Sequence, residues 1–177
     1  LTYLRTGQYR TGDRIIRMGL TVLEQEEPGR VRDVVTGQLN LGAAVLAGRA
    51  QDRDRAEEHL VEAGRLAERT GEAAEVHWLA FGPTNVSVHR VSVLAELDEY
   101  GSAAQAGEAL QIPARWPASR RSHHYAELAR AQMWTGQLEA AFANLLRSRK
   151  AAPQQARYHQ TVRETYAGLE AAKRQLP

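Results

Sequence analysis

Apolar residues recur at helical spacing along almost the whole chain. Alternating β-branched or aromatic runs bounded by Asn-Gly turns, which are typical of strands, do not occur. The pattern therefore predicts an all-α protein. The predicted helices cover roughly residues 8–26, 30–49, 53–70, 84–98, 100–111, 117–135, 138–151 and 155–174.

Residues that break or cap helices separate these segments. Asp52 is a predicted N-cap, because its side chain can accept a hydrogen bond from the first turn of the helix that follows. The remaining breaks fall at Gly or Pro, namely Pro28-Gly29, Gly71, Gly82-Pro83, Pro113 with Pro117, Gly136 and Pro153.

The chain contains a repeated helical hairpin. A tetratricopeptide-like order of large, Leu, small, and later small, large, Pro is present at Tyr125, Leu128, Ala129, Ala141, Leu145 and Pro153. Weaker copies begin near Leu41 and Val91. Residues 1–9 resemble the second half of one helix, a glycine turn and the start of the next helix. Three polar residues depart from the pattern: Gln38, Gln132 and Ser148.

These repeats predict a right-handed superhelical stack of antiparallel helix hairpins with about eight helices. Small side chains at Ala129 and Ala141 would let paired helices approach closely. We expect residues 1–177 to form a single repeat domain, closed by a solvated helix over 155–174. Because the chain starts within a repeat and lacks an initiator Met, we also expect it to be a fragment of a longer protein.

Composition narrows the functional classes. The 177 residues carry 23 basic and 21 acidic side chains, so a formal charge of +2 gives no electrostatic case for direct DNA binding. The absence of Cys excludes disulfides and thiolate metal sites, and no apolar run is long enough for a membrane helix. We expect a soluble, cytoplasmic, non-enzymatic domain with no cofactor, metal or membrane partner.

Polar side chains repeat along the helices that we expect to line the concave face of the stack. A spacing of four, three and four occurs on two successive inner helices, giving as ligand-binding candidates Asn85, His89, Ser92 and Glu96, followed by His123, Glu127, Arg130 and Trp134. Asn40 is the candidate on the preceding inner helix. An Asn amide can match a peptide unit, and Arg130 can bind a carboxylate. The alternative is that these stripes are solvated faces of amphipathic helices.

Residues 72–83 do not fit the repeat period. Trp78 and Phe81, followed by Gly82-Pro83, could form a lid over one end of a groove. The alternative is that they fill a gap between hairpins, and we favour this packing role because large aromatic side chains are usually buried.

The segment Trp78-x2-Phe81-Gly82-Pro83-Thr84-Asn85-x3-His89 resembles the C-terminal regions of actinobacterial helix-turn-helix transcriptional regulators of the XRE type. The stretch from Ala129 through Gly136 and Pro153 to Arg163 is similar as well, so the resemblance covers roughly residues 76–165. In such proteins a short DNA-binding domain precedes a tetratricopeptide-like array.

The resemblance implies a sensing and oligomerisation module that binds a peptide, small effector or protein partner in its groove. Contact with DNA would be made only through an N-terminal domain missing from this chain, and a homodimer is among the expected assemblies. The alternative function is a constitutive protein–protein scaffold, either an adaptor or a dimerisation domain without a ligand.

Overall fold

The computed structural model describes residues 8–175, and this part of the chain is all-α, as predicted. Of the half-repeat predicted at residues 1–9, residues 1–7 lie outside the described residues. Nine helices occupy residues 8–175: α1 (Tyr9–Glu24), α2 (Arg30–Arg49), α3 (Arg53–Thr70), α4 (Pro83–Glu96), α5 (Tyr100–Ala109), α6 (Ala118–Trp134), α7 (Leu138–Ala151), α8 (Pro153–Tyr158) and α9 (Gln160–Gln175).

The predicted helix over 155–174 is wrong in one respect, because the structure divides it into α8 and α9. His159 lies between the two helices with an extended backbone conformation, φ −72° and ψ 124°. The break turns the chain so that α9 packs against α6. On α9, Arg163, Lys173 and Arg174 are exposed as expected, whereas Thr165 and Leu169 are buried.

Helix ends follow the local chemistry of the sequence. The Asp52 side chain accepts a hydrogen bond from the Arg55 backbone N–H at 3.2 Å, which confirms the predicted N-cap of α3. Gly136 follows the end of α6 with φ of 78°, a left-handed conformation that residues with a Cβ atom rarely adopt. Pro153 begins α8, with only Ala152 between it and the end of α7.

The chain folds as two compact units, the first ending at Leu97 and the second beginning at Asp98. In the first unit, α2 packs against α1, α3 and α4. The turn between α2 and α3 spans only three residues, so these two helices form an antiparallel hairpin. The core of the first unit comprises buried residues that include Leu41, Leu60, Leu66 and Phe81.

In the second unit, α6 packs against α5, α7 and α9. Helices α6 and α7 form the best-defined hairpin, as the repeat pattern predicts. Ala129 and Ala141 are fully buried at their contact, and Leu145 and Leu169 complete the cluster. The handedness of a superhelix and a single repeat domain over 1–177 stay predictions.

The extra segment between α3 and α4 forms a closed loop. The Ala73 N–H donates to the Phe81 carbonyl at 2.8 Å, and His77, Trp78 and Ala80 have positive φ angles. Phe81 is fully buried, which confirms the expected packing role for this residue. For Trp78 the expectation is wrong, because its side chain is 90% exposed at the tip of the loop.

Candidate functional site

In the first unit, Asn85 lies at the contact between α4 and α2. Its side chain is fully buried, and its Nδ2 donates to Gln38 Oε1 at 3.1 Å. Its Oδ1 accepts no hydrogen bond from a described residue. Because this amide links two helices, an Asn85→Ala substitution would weaken the packing of the unit as well as any ligand contact.

The other α4 candidates are also hydrogen-bonded within the first unit. His89 Nδ1 lies 2.8 Å from the Asn85 carbonyl, and the Ser92 hydroxyl donates to the Val88 carbonyl at 3.4 Å. Glu96 pairs with Arg49, with 3.1 Å between its Oε2 and the Arg49 Nε. These residues share one side of α4 as the spacing predicts, but their polar atoms stabilise the unit.

The Asn40 side chain points from α2 towards α3, and not towards α4, the helix that carries Asn85. Its Nδ2 donates to the Thr36 carbonyl at 2.9 Å, and its Oδ1 lies 2.8 Å from His59 Nδ1 on α3. Gln38, two residues earlier, points to α4, and residues two apart on a helix diverge by about 200°. The structure therefore does not bring Asn40 together with Asn85 and His89.

His59 belongs to a polar cluster between α1 and α3. Burial, followed by the charge of Arg55, lowers the pKa of His59, so the neutral ring is favoured. Arg55 also forms an ion pair with Asp13, and Asp13 pairs with Arg17 at 2.7 Å. This cluster ties α1 to the α2–α3 hairpin.

In the second unit, three side chains form a partly exposed surface that we call the aromatic platform: Tyr100, Arg130 and Trp134. The Tyr100 and Trp134 rings are stacked, with centroids 5.4 Å apart and an interplanar angle of 17°. The Arg130 guanidinium carbon lies 5.7 Å from the centre of the Tyr100 ring. Trp134 is 63% exposed although it is one of the largest side chains in the protein.

Two carboxylates hold the aromatic platform in place: Glu127 on α6 contacts Arg130, and Asp98 contacts Tyr100. Arg130 lies 3.6 Å from the buried Glu127 carboxylate, whose other oxygen accepts from the Thr161 hydroxyl at 3.1 Å. The Tyr100 hydroxyl donates to Asp98 at 2.7 Å, and burial followed by this hydrogen bond raises the pKa of Tyr100. The phenol therefore remains protonated at neutral pH and fixes the ring.

His123 occupies the other end of the same α6 face. Its Nδ1 lies 3.3 Å from Nε2 of His159, the residue at the break between α8 and α9. The structure thus places all four α6 candidates on one side of the helix, as predicted. Arg130 and Trp134 belong to the aromatic platform, whereas Glu127 and His123 connect α6 to the end of the chain.

A polar pocket between α5, α6 and α7 was not anticipated from the sequence. It has a volume of about 340 Å³ and contains a chain of hydrogen-bonded side chains. Gln132 Nε2 donates to Glu108 at 2.8 Å, Asn144 Nδ2 donates to Gln132 at 2.8 Å, and Arg147 donates to Asn144 at 3.3 Å. The signal in the sequence was Gln132 itself, a polar residue where the repeat pattern departs from consensus.

The other two departures from the repeat pattern have the same explanation. Ser148 on α7 is fully buried, with its hydroxyl 2.9 Å from that of Ser122 on α6. Gln38 is the partner of Asn85. Each polar departure therefore makes a hydrogen bond between helices.

Neither a metal site nor a membrane-spanning helix is present in the described part of the chain. Among residues 8–174, no group of three or more His, Asp or Glu side chains is placed to hold a metal ion. No helix within the described residues combines the length and apolar character needed to cross a bilayer.

Comparisons with models of known protein families, with characterised proteins and with solved structures found no match to this chain. The resemblance of residues 76–165 to XRE-type regulators therefore stays a prediction.

Proposed function

We propose that this chain is the ligand-sensing module of a bacterial transcriptional regulator and that it binds a peptide or small effector. The observation that carries the proposal is the aromatic platform. A stacked pair of aromatic rings with an adjacent guanidinium suits a ligand that presents a flat or aromatic group beside a carboxylate. Peptides with an aromatic residue near a free carboxyl terminus have this chemistry.

Exposure and rigidity together support a binding role for Trp134. A large aromatic side chain that remains mostly in water is a common anchor in binding sites, because burying it against a partner contributes much of the affinity. Stacking on Tyr100 already restricts the Trp134 ring, and Arg130 in turn lies over the ring of Tyr100. Little conformational entropy would then be lost when a ligand binds.

The regulatory part of the proposal rests on the resemblance of residues 76–165. DNA binding would belong to a domain outside this chain, since the balanced charge gives no basis for it here. A ligand on the aromatic platform would control such a domain only if it binds one conformation of the protein more tightly than another.

The proposal is tested by mass spectrometry of molecules that co-purify with the protein, followed by calorimetric titration of the molecule found. Trp134→Ala should weaken binding by about 30-fold or more, the effect of removing a hot-spot residue. The control is Trp78→Ala, which removes an even more exposed tryptophan from the first unit. Equal affinity of the two variants would refute the assignment of the aromatic platform.

A constitutive scaffold is the second candidate, and one observation favours it. On α1, Ile15, Met18 and Val22 are exposed and lie three and four residues apart, so they form an apolar stripe on one helix face. Such a stripe suits self-association. Sedimentation should then detect a dimer that Met18→Glu dissociates and that Thr21→Glu, at an exposed position beside the stripe, leaves intact.

A further inference from the structure

Helices α7, α8 and α9 enclose an open groove of about 620 Å³ in the second unit, which we call the terminal groove. It shares no residue with the aromatic platform or with the polar pocket. Its walls are the outer side of α7 and the facing side of α9, with α8 at one end.

Two rows of apolar side chains line the terminal groove. Phe142 and Leu146 are one turn apart on α7, and Val162 and Tyr166 are one turn apart on α9. Phe142 is 46% exposed and Leu146 is 51% exposed, although both lie on a helix whose other face is well packed. These two apolar ridges, on neighbouring helices, form the kind of surface that an additional helix covers in helical stacks.

The charged residues of the terminal groove all have the same sign. Arg149, Arg157 and Arg163 line it, and no Asp or Glu does. Among residues 8–174, no carboxylate forms an ion pair with any of these three arginines. Arg157 instead lies over the ring of Tyr158, at 5.7 Å from its centre. The terminal groove is therefore lined by apolar side chains together with these three arginines, which we call the arginine rim.

We propose that the terminal groove docks an acidic amphipathic helix of a partner protein. The lining of α7 extends from Phe142 to Arg149, about 10 Å along the helix axis, which matches two turns of a docked helix. Apolar residues at i, i+3 or i+4, and i+7 of that helix would contact the two ridges. Glu or Asp side chains beside them would pair with the arginine rim through bidentate hydrogen bonds.

Charge argues against a second copy of this chain as the occupant. A symmetric dimer through the terminal groove would place each arginine rim against its own equivalent, and like charges brought together at an interface oppose association. An acidic helix has the complementary charge. The interaction surface is distinct from the proposed effector site, so the two proposals can fail independently.

The test uses fluorescence anisotropy with a labelled helical peptide of about 18 residues. Leu occupies one face of the probe and Glu the flanking positions, and a second probe replaces every Glu with Lys. We expect the Glu probe to bind at least about tenfold more tightly than the Lys probe, with an advantage that shrinks as salt rises from about 0.05 M to about 0.5 M.

Matched variants test whether the Glu probe binds in the terminal groove or elsewhere on the surface. Arg149→Glu should weaken the Glu probe about tenfold, whereas Lys150→Glu, the same charge change at the next exposed position of α7, should have little effect. Leu146→Ser should also weaken the Glu probe, whereas Val61→Ser at an exposed position of α3 should not. Circular dichroism of each variant checks that the helices remain folded.

Several results would overturn the proposal. Equal affinity for the two probes would show that charge does not select the partner. Equal losses of affinity for the Glu probe in Arg149→Glu and Lys150→Glu would show that the arginine rim does not bind it. A dimer in sedimentation that Leu146→Ser dissociates would assign the terminal groove to a second copy of the chain. Binding of phosphatidylglycerol vesicles that Arg149→Glu abolishes, without binding of the Glu probe, would assign it to an anionic lipid surface.

Discussion

The ring of Phe81 lies directly against the backbone of Gly37, so closely that a Cβ atom at position 37 would overlap the ring. Gly37 belongs to α2, and Phe81 ends the loop that leads into α4. Both residues are buried in the core of the first unit. The glycine therefore determines how the loop joins the α2–α3 hairpin to α4.

Gly37→Ala is expected to lower the free energy of unfolding by about 1–3 kcal/mol, because the added methyl group must displace the Phe81 ring from a packed core. The matched control is Gly64→Ala on α3, where no atom other than its chain neighbours and the adjoining helix backbone lies within 4 Å of the added Cβ. That change should raise the free energy of unfolding by about 0.5–1 kcal/mol through helix propensity. Urea denaturation of both variants measures the difference, and stabilisation by both would contradict the close packing.

Truncation of the two aromatic residues of the loop should change the free energy of unfolding by very different amounts. Phe81→Ala is expected to lower the free energy of unfolding by about 3–5 kcal/mol, because it leaves a cavity in the core. Trp78→Ala should change it by less than about 0.5 kcal/mol, because the Trp78 side chain is almost fully in solvent. Thermal or urea denaturation would reveal the contrast. Comparable losses in both variants would mean that the loop tip packs against the protein.

Much of this fold can be predicted from the periodicity of apolar residues and from the residues that begin and end helices. The predicted bounds 30–49, 53–70 and 138–151 agree with α2, α3 and α7, because each is bordered by Gly, Pro or a capping Asp. The break at His159 was missed because neither Gly nor Pro marks it. The orientation of Trp78 was missed because it depends on three positive φ angles in a loop, and no periodic pattern encodes them.

The candidate site was only partly predictable for a related reason. Spacing along a helix assigns residues to a face, and it placed the four α6 candidates on one face correctly. It does not reveal which partners the neighbouring helices supply. Tyr100, which completes the aromatic platform, is 34 residues from Trp134 in the sequence. The bond between Asn40 and His59 likewise depends on how α2 and α3 pack.

The buried hydrogen bond between Ser122 and Ser148 should behave as a coupled pair. Ser148→Ala or Ser122→Ala alone is expected to lower the free energy of unfolding by about 1–3 kcal/mol, because the remaining hydroxyl loses its partner in a buried position. The double Ala variant should lose less than the sum of the single variants. Ser102→Ala, at an exposed position of α5, is the control and should have little effect. Additive losses would show that the two hydroxyls do not interact.

The stability of the second unit should decline at mildly acidic pH because of His124. Burial, reinforced by the nearby charge of His123, lowers the pKa of His124 to about 4, compared with about 6.5 in an unfolded chain. Between these two values the unfolded chain binds more protons than the folded one. The free energy of unfolding should therefore be unaffected above about pH 6.5, fall as the pH drops towards 4, and lose about 3 kcal/mol at most.

A variant is needed to isolate this contribution, because the lowered pKa of His59 acts in the same direction in the first unit. Urea denaturation at about pH 7.5 and about pH 5 should show a smaller pH effect in His124→Gln than in the wild type, since Gln does not titrate. His77→Gln, which alters an exposed histidine, should retain the wild-type pH effect. If His124→Gln also retains it, protonation of His124 does not control the acid stability of the second unit.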